Sequence, residues 1–570
     1  MMITLISTDH NNCRKCYACV RACPVKTISI KRGLPEIVEA GCLGCGQCVL
    51  ACSIGAKIVH DDTPVIENWL AQKMKVVAMV APSYPASFSA SGGQMVAVLR
   101  QLGFSGVQEV AYGAGVCAGQ YSKIFKLQHA GTMISTACPA VVQLVEKHFP
   151  NLIESLAPID SPMIIQAKVI KAVQPDAKVV FIGPCLSKNY ESADPNTGGY
   201  VDAVITFKQL SRWLEESEAW GELAEQPWDN PQPYIARTFP ISGGLLKTSG
   251  ITEDVASMEV VVVEGAQRCI EVLKAIETGD FTPRFADMLV CEGCVMGPGM
   301  VSNKPYVVRA HQVAKTVNQS CHAVSDEEMG QVAQKLNFTR IFDAKPVLKK
   351  TFTDEQVWQT LKETGKHNTR DLINCSACGY DTCWEKAVAC LQGMAEKEMC
   401  LPFLLRQVPA LTSSLMDMSG KLMLSMESIN FSTLTLKGTT SKINSRNQHL
   451  EALMEETNTI AKDTLELANK VLLMVSQKEL PIPSQFPLAS PDIDEIRNIA
   501  AQSKLQSEKA TKAFEDIASV LARLREDSVM IMEQEKAIKV VTGSLEQIVA
   551  TYDQLLNIGA AMASIGRNYV

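Results

Sequence analysis

The middle of the chain alternates short apolar runs with stretches of helical periodicity. Helical patterns cover residues 93–102 and 138–149, among others. Alternation of this kind predicts parallel sheets covered by helices, and so an α/β domain over residues 61–360. The runs read as strands are Lys75–Val80, Val107–Ala111, Thr132–Ser135, Lys178–Ile182, Tyr200–Phe207, Glu259–Val263 and Ala286–Val290.

The apolar pattern changes after residue 403, where apolar positions recur at alternating three- and four-residue steps. Such spacing predicts long helices that pair, and four prolines within residues 481–491 predict a break between them. We therefore expect residues 403–570 to form an all-α coiled-coil hairpin that pairs with a second copy in a homodimer. The repeating positions are Leu450, Leu453, Ile460, Leu467, Val471 and Met474, then Phe514, Ile517, Leu521, Leu524, Ile531, Ile538, Leu545, Val549 and Tyr552.

Charge and hydropathy exclude two classes of partner. The chain has 570 residues and a formal net charge of −7, which argues against nucleic-acid binding. Residues 1–10 lack the basic start and cleavage site of a signal peptide, and no uncharged apolar run reaches the roughly 20 residues of a membrane span. We expect a cytoplasmic protein that binds neither nucleic acid nor a membrane.

The cysteines are numerous and unevenly placed. Of 20 cysteines, eight fall within residues 13–52, five within residues 375–400 and none after Cys400. A chain of this length does not need disulfides to stabilise its core, so short gaps between cysteines indicate metal ligation.

Residues 1–60 contain one four-cysteine pattern twice, C-x2-C-x2-C-x3-C. Zinc knuckles are the alternative, although zinc sites usually divide into two separated pairs. The segment resembles bacterial two-cluster ferredoxins, which implies an α+β ferredoxin-like domain with two 4Fe–4S clusters. In that family the fourth cysteine of each run binds the other cluster. The resemblance implies one cluster on Cys13, Cys16, Cys19 and Cys52, and another on Cys42, Cys45, Cys48 and Cys23.

Four cysteines of the α/β domain follow predicted strands. Cys138, Cys185, Cys291 and Cys294 leave three strand ends, where open α/β sheets tend to bind ligands. Each is individually ambiguous, since free cysteines are often buried in cores. Together they can hold one more cubane.

The segments around these cysteines resemble the catalytic domain of FeFe hydrogenases. Residues 184–191 match P-C-x-x-K-x-x-E in full, residues 135–139 resemble the family's first cysteine motif, and residues 291–299 its third, with one residue fewer between the cysteines. The resemblance implies an H-cluster, a 4Fe–4S cubane joined to a two-iron site bearing CO and cyanide. The cubane would be held by Cys138, Cys185, Cys291 and Cys294, with Cys294 as the bridge.

The same resemblance implies partners for the two-iron site. Lys188, within the motif that begins at Pro184, would pair with one cyanide, and Ala81, Pro82 and Ser83 would meet the other. Ser242 belongs to a loop similar to one that approaches the cluster. The implied reaction is H2 ⇌ 2 H+ + 2 e−, with ferredoxin as a redox partner.

Departures from the family pattern concern proton transfer. Active members have a proton-relaying cysteine where this chain has Ala137, and Gln120 and Tyr121 replace an expected carboxylate pair after a glycine-rich turn at residues 113–115. Two pocket methionines are replaced by Gly183 and Leu289. Glu191 remains, either as part of a different proton path or as a plain surface carboxylate. Because a positioned acid or base contributes about 100- to 10,000-fold, slow turnover is expected.

Four further cysteines, Cys117, Cys269, Cys321 and Cys390, fit no ligand set. They are interpreted as buried small apolar residues. Cys117 is also a candidate for a substitute proton role, since it follows the glycine-rich stretch.

Residues 361–402 form a separate module with the spacing C-x2-C-x4-C-x16-C. Its cysteines are Cys375, Cys378, Cys383 and Cys400, and a helix is predicted over residues 384–392. The pattern resembles a small four-cysteine iron–sulfur domain of corrinoid and related redox proteins, which implies a further 4Fe–4S cluster. Zinc is the alternative metal at these cysteines.

Three functions are compatible with these features. The first is a slow, sensory FeFe hydrogenase that signals through its helical tail, because residues 494–503 weakly resemble the returning helix of chemoreceptor hairpins. The second is a working ferredoxin-linked hydrogenase whose tail only dimerises. The third is a non-catalytic iron–sulfur scaffold without the two-iron site, similar to hydrogenase-like proteins of eukaryotic cluster assembly.

Overall fold

A computed structural model describes residues 4–127, 131–219, 224–231, 235–252, 256–317, 327–348 and 350–435, with scattered positions after residue 451. The chain divides into two compact units. One comprises Met1–Cys13 and Tyr17–Thr351, and the other comprises Arg14–Cys16 and Phe352–Val570. Among the described residues, no helix is both long enough and apolar enough to cross a membrane.

The N-terminal part of the first unit is a small α+β arrangement. Its elements in chain order are β1 (Ile6–Thr8), α1 (Ala18–Ala22), β2 (Ile28–Lys31), β3 (Leu34–Ile37), α2 (Gln47–Leu50) and β4 (Lys57–Val59). Strands β1 and β4 pair antiparallel, as do β2 and β3. This agrees with the predicted ferredoxin-like fold.

The rest of the first unit is α/β. Its elements continue as α3 (Thr63–Ala71), β5 (Val76–Val80), α4 (Gly92–Gln101), β6 (Gly106–Glu109), α5 (Ala111–Leu127), β7 (Met133–Ile134), α6 (Pro139–His148), α7 (Pro162–Val173), β8 (Lys178–Gly183), α8 (Lys188–Ala193), β9 (Ala203–Thr206), α9 (Phe207–Glu216), α10 (Gly244–Ser249), β10 (Val260–Glu264), α11 (Ala266–Thr278), β11 (Phe285–Leu289), α12 (Tyr306–Val317) and α13 (Glu327–Lys335). All seven predicted strands are present, with bounds shifted by up to three residues.

Two parallel sheets organise this domain. One has the order β6-β5-β8-β9 and the other the order β10-β11-β7. Every residue of β5 is buried, which explains its uninterrupted apolar sequence, because a central parallel strand is covered on both faces. Parallel pairing places the carboxyl ends of β5 and β8 side by side, and β11 in the other sheet leads into the loop that carries Cys291 and Cys294.

One predicted turn is wrong. Residues 113–115 lie inside α5. Gly113 is required there because a Cβ atom at this position would stand 2.3 Å from the carbonyl oxygen of Pro162. The glycine thus serves close packing of α5 against α7 and does not mark a turn.

The second unit contains α14 (Asp354–Glu363), α15 (Cys383–Leu391) and α16 (Leu401–Thr435). Capping boxes at Thr353 and Thr382 begin α14 and α15, and the two helices share a small apolar core. The predicted hairpin lies mostly outside the described residues, since only its first segment, within α16, is described as a continuous helix.

Candidate functional site

The site is built around the loop between β8 and α8, which carries Cys185 and Lys188. Strand β8 is apolar and buried and ends at Gly183, one residue beyond the predicted strand, and α8 begins at Lys188, within the predicted loop. A Cβ atom at Gly183 would lie 2.6 Å from the ring of Phe181 and 3.0 Å from Cβ of Ala81. A side chain at Gly183 would therefore overlap its neighbours at the paired ends of β5 and β8.

A cavity of about 90 Å³ opens at these strand ends. It brings together residues that are widely separated in sequence and that the family resemblance selects. Ser242 does not line it, although Ile241 and Leu245 on either side do. The lining residues singled out from sequence are Ala81, Pro82, Ser83, Ala137, Pro184, Cys185, Lys188, Leu289 and Cys294.

The four candidate cubane cysteines lie close enough to influence one another electrostatically. Burial, reinforced by Cys138, raises the pKa of Cys185 to about 12, against the opposing effect of Lys188. Burial also raises the pKa of Cys294, and Cys138 and Cys185 raise it further. The pKa of Cys291 is raised by burial and then by Cys185 and Cys138. Four half-buried cysteines whose thiolates would repel one another suit a bound metal cluster, which offsets the thiolate charge.

Two side chains at the cavity suit anionic ligands such as cyanide. The hydroxyl of Ser83 is buried and has no hydrogen-bond partner among the described residues. Because a buried hydroxyl without a partner is costly, an acceptor inside the cavity would satisfy it. Lys188 adds an ammonium to the same lining. The residues present therefore fit a two-iron site bearing cyanide.

Lys188 is held by a buried polar network. Its Nζ donates to Oε2 of Glu191 at 2.6 Å and to Oγ of Ser161 at 3.0 Å. The other carboxylate oxygen of Glu191 accepts from Arg340 at 2.5 Å. Glu191 is 1% exposed, so its interpretation as a surface carboxylate is wrong.

The network continues beyond Arg340. Its second terminal nitrogen donates to Asp194 at 3.0 Å, and Lys345 lies 3.7 Å from Asp194 and 2.9 Å from Glu146. Lys345 is the partly exposed member, with 38% of its side chain accessible. Alternating charges thus run from the cavity to the surface. Arg340 is effectively always protonated, so this row of charged side chains orients Lys188 and does not conduct protons by itself.

Two of the residues that stand at the expected proton-relay positions, Ala137 and Tyr121, are neither carboxylic acids nor thiols. Ala137 lines the cavity and brings no acidic proton. Tyr121 is buried, and its hydroxyl lies 2.9 Å from Oγ1 of Thr136 and accepts from the Thr136 backbone at 2.7 Å. Tyr121 therefore fixes the backbone and side chain of Thr136, the residue before Ala137.

Cys117 and Cys269 are fully buried core residues, in agreement with their interpretation as buried small apolar residues. The Cys117 thiol donates to the carbonyl of Asp160 at 3.5 Å, and burial raises its pKa. It is not among the residues that line the cavity. Cys390 is half-buried and lies beside Lys386, and Cys321 lies outside the described residues.

Asp287 is a site residue that sequence reasoning missed. It lies in β11, is 4% exposed and lines the cavity together with Lys188 and Cys294. The sequence signal for this residue was a single acidic side chain inside an otherwise apolar strand, because charged residues are almost never fully buried unless they are paired.

The second ferredoxin-type ligand set is also brought together. Burial raises the pKa of Cys45, and Cys23, Cys42 and Cys48 raise it further. A Cβ atom at Gly46, next to Cys45, would meet Leu186 and Pro298, and Cys45 contributes to the raised pKa of Cys291, so this set lies near the candidate cubane. The set Cys13, Cys16, Cys19 and Cys52 stays a prediction.

The second unit contains a separate cavity lined by all four cysteines of the C-terminal module. Cys375, Cys378, Cys383 and Cys400 share it with Lys366 and Lys386. We call this the four-cysteine site. Burial raises the pKa of Cys378 to about 11, with contributions from Cys400 and Cys375 against the effect of Lys386. Its donor set fits a metal centre.

Comparison with known proteins matches two segments of the chain to families. Residues 74–298 match "Iron only hydrogenase large subunit, C-terminal domain", and residues 5–53 match "4Fe-4S dicluster domain".

Individual relatives are distant. The NADP-reducing hydrogenase subunit HndD of Solidesulfovibrio fructosivorans is 25% identical over 53% of this chain and 64% of its own length. The periplasmic Fe hydrogenase large subunit of Nitratidesulfovibrio vulgaris is 24% identical over 52% of this chain and 86% of its own length. The cytosolic Fe–S cluster assembly factor NAR1 of Eremothecium gossypii is 26% identical over 35% of this chain and 50% of its own length.

Among solved structures, FeFe-hydrogenase HydA1 from Chlamydomonas reinhardtii aligns with a TM-score of 0.41 at 17% identity, over 50% of this chain and 100% of that chain. The chain spans somewhat less than two thirds of HndD. The matched segments coincide with the two-cluster region and with the strand-end cavity. Residues 5–53 are therefore similar to a 4Fe–4S dicluster domain, and residues 74–298 are similar to the C-terminal domain of an iron-only hydrogenase large subunit.

Proposed function

We propose that this chain is a low-turnover FeFe hydrogenase that senses H2 or redox state, passes electrons through 4Fe–4S clusters and signals through its C-terminal helices. The observation that carries the proposal is the strand-end cavity, where Cys185, Cys294, Lys188 and the unpartnered Ser83 hydroxyl meet. When bound, the H-cluster would supply the chemistry of H2 cleavage and formation.

The chain's own residues account for binding and orientation. Ser83 and Lys188 offer a hydroxyl and an ammonium to anionic ligands, and Ser161 and Glu191 fix the lysine side chain in one position. Cys138, Cys185, Cys291 and Cys294 would hold the cubane. Cys45, close to Cys291, supports electron entry or exit through the second ferredoxin-type cluster.

Low turnover is supported by Ala137, which lines the cavity with Cys294 at the position where a proton-relaying cysteine is expected. Ala137 offers no proton, and the Cys117 thiol is buried outside the lining. Loss of a positioned acid or base costs about 100- to 10,000-fold in rate. Slow chemistry suits a reporter better than a bulk catalyst. Ferredoxin as redox partner, a cytoplasmic location, a homodimer and a signalling partner belong to the same proposal.

Two other functions are alternatives to a sensory hydrogenase. A bulk ferredoxin-linked hydrogenase would use the helices only for dimerisation. A non-catalytic scaffold without the two-iron site is favoured by the similarity to NAR1 proteins, which are described as cytosolic Fe–S cluster assembly factors. Retention of Lys188 in the cavity favours the hydrogenase over the scaffold.

One experiment separates the three functions. The full chain is matured with the two-iron cofactor, its infrared spectrum is recorded, and H2 oxidation is assayed. CO and cyanide bands with slow turnover are expected. Absence of the bands would favour the scaffold, and rapid turnover would favour the bulk enzyme.

Ser83→Ala sharpens the infrared test. We expect it to shift one cyanide band, because the hydroxyl that would donate to that ligand is removed. Ser105→Ala is the matched control, since Ser105 donates to the carbonyl of Val76 away from the cavity lining. An unchanged cyanide band in Ser83→Ala would contradict the assigned role.

A further inference from the structure

We infer that Lys366 and Lys386 are the counter-charges of the four-cysteine site and poise its cluster as an electron acceptor. The inference rests on the third 4Fe–4S cluster of the proposed function. It adds a specific role for two residues that lie outside both family matches.

Both lysines are buried at the cavity that the four cysteines line. Each is 4% exposed. Lys366 follows α14 by three residues, and Lys386 lies in the first turn of α15, three residues after Cys383. The cavity has a volume of only about 20 Å³, so the two lysines and the four cysteines line one small space.

Lys366 contacts a cysteine directly. Its Nζ donates to Sγ of Cys400 at 3.2 Å, to Oγ1 of Thr364 at 3.1 Å and to the Thr364 carbonyl at 3.4 Å. Lys386 donates to the carbonyl of Lys397 at 3.3 Å. The Lys366 ammonium is therefore anchored by neutral oxygens and directed at Cys400, whereas Lys386 lines the same cavity and also lies beside Cys390, which does not line it.

Neither lysine has a carboxylate partner in the described part of the second unit. Nearby acidic residues are engaged elsewhere: Glu363 pairs with Lys397, Glu385 accepts from the backbone at Asp381 and Thr382, and Asp371 accepts from the backbone at His367 and Asn368. Burying an uncompensated charge is expensive. Within the described part of the second unit, the negative charge placed to balance these two ammonium groups is that of the cysteine thiolates and the cluster they would hold.

The electrostatic consequence has a definite sign. Net charge and hydrogen bonds to sulfur set the reduction potential of an iron–sulfur cluster. Reduction adds negative charge, which two adjacent ammonium groups and an N–H···S hydrogen bond stabilise. The lysines should therefore raise the potential and make this cluster the preferred acceptor.

The start of α16 is coupled to the same turn. Cys400 immediately precedes Leu401, the first residue of α16, and Arg406 in this helix donates to the carbonyl of Gly365, next to Lys366. A change of charge at the cluster would thus act on the first turn of α16, because the N-terminus of a helix is stabilised by nearby negative charge.

Potentiometric titration monitored by EPR tests the inference on the full chain with its clusters assembled anaerobically. Cys378→Ser identifies the signal of this site by its loss. Lys366→Met and Lys386→Met should each shift that signal to lower potential, and the double variant should shift it further. Lys362→Met is the matched control, since Lys362 is an exposed neighbour that does not line the cavity. The cluster in this variant should have the same reduction potential as in the unaltered chain.

The outcomes are distinguishable. An unchanged or higher potential in both lysine variants would overturn the inference, and so would zinc bound in place of iron or loss of the cluster in both variants. Lys366→Arg keeps the charge and should preserve most of the potential. Infrared bands of CO and cyanide report on the H-cluster separately, so the tuning role and the hydrogenase function fail independently.

Discussion

Nζ of Lys188 lies 2.6 Å from Oε2 of Glu191 on the same short helix, and Arg340 approaches the opposite oxygen of that carboxylate at 2.5 Å. One buried carboxylate thus separates two buried cations. Its removal should be far more damaging than the loss of an exposed pair.

Glu191→Gln should lower the free energy of unfolding by about 3–5 kcal/mol, because Lys188 and Arg340 would lose their shared counter-ion. Urea denaturation of the metal-free chain measures the loss. Glu36→Gln is the control, since it breaks the solvent-exposed pair with Lys31 and should change stability little. Equal effects of the two substitutions would contradict the buried network.

Ala137→Cys should raise H2 oxidation by about 100-fold or more, because it places an acidic proton in the cavity beside Cys294. Turnover of the matured protein over a range of pH is the measurement. Cys117→Ala should leave the rate unchanged, since that thiol lies outside the cavity lining. A loss of activity in Cys117→Ala, with no gain in Ala137→Cys, would place the proton path at Cys117.

Cys185→Ser should abolish assembly of the H-cluster and lower the iron content per chain, while Cys269→Ser should preserve both. The two thiols differ in position: Cys185 lines the cavity, and Cys269 is buried in the core with its thiol directed at the carbonyl of Leu289. Iron analysis and EPR after reconstitution compare them. Full iron content in Cys185→Ser would exclude this cysteine as a ligand.

Gly46→Ala should destabilise the first unit more than Gly55→Ala. Both glycines have positive φ, of 71° and 68°, so both substitutions carry the backbone penalty of about 1 kcal/mol. Only at Gly46 would the new Cβ atom overlap Pro298, at 2.5 Å, because nothing lies within 4 Å at Gly55. The difference between the two unfolding free energies measures how tightly the ferredoxin-type segment fits the hydrogenase domain. Equal losses would mean that Pro298 moves aside freely.

Asp202→Asn should destabilise the chain at neutral pH and lose this effect in acid. Burial alone would raise the pKa of Asp202, but hydrogen bonds from Lys171 and Lys178 outweigh it and hold the pKa below 3.8. A depressed folded-state pKa contributes stability above the unfolded value, which is lost as the pH falls through the folded value. Denaturation of both proteins from pH 7 to below pH 4 should show the curves converging. A constant difference across that range would contradict the assignment.

Local sequence determined much of this protein. The two-cluster spacing at residues 13–52, the order of the hydrogenase motifs and the four cysteines of the C-terminal module depend on residues a few positions apart. The apolar runs of β5 and β8 were also predictable, because strands buried on both faces require continuous apolar sequence.

Only the tertiary structure decided the surroundings of those motifs. Arg340 reaches Glu191 across 149 positions of sequence, and Asp287 lines one cavity with Lys188 although β11 and β8 belong to different sheets. Likewise, Gly113 belongs to a helix because Pro162 packs against it. Burial and charge pairing are set by which elements fold together, and no local spacing encodes them.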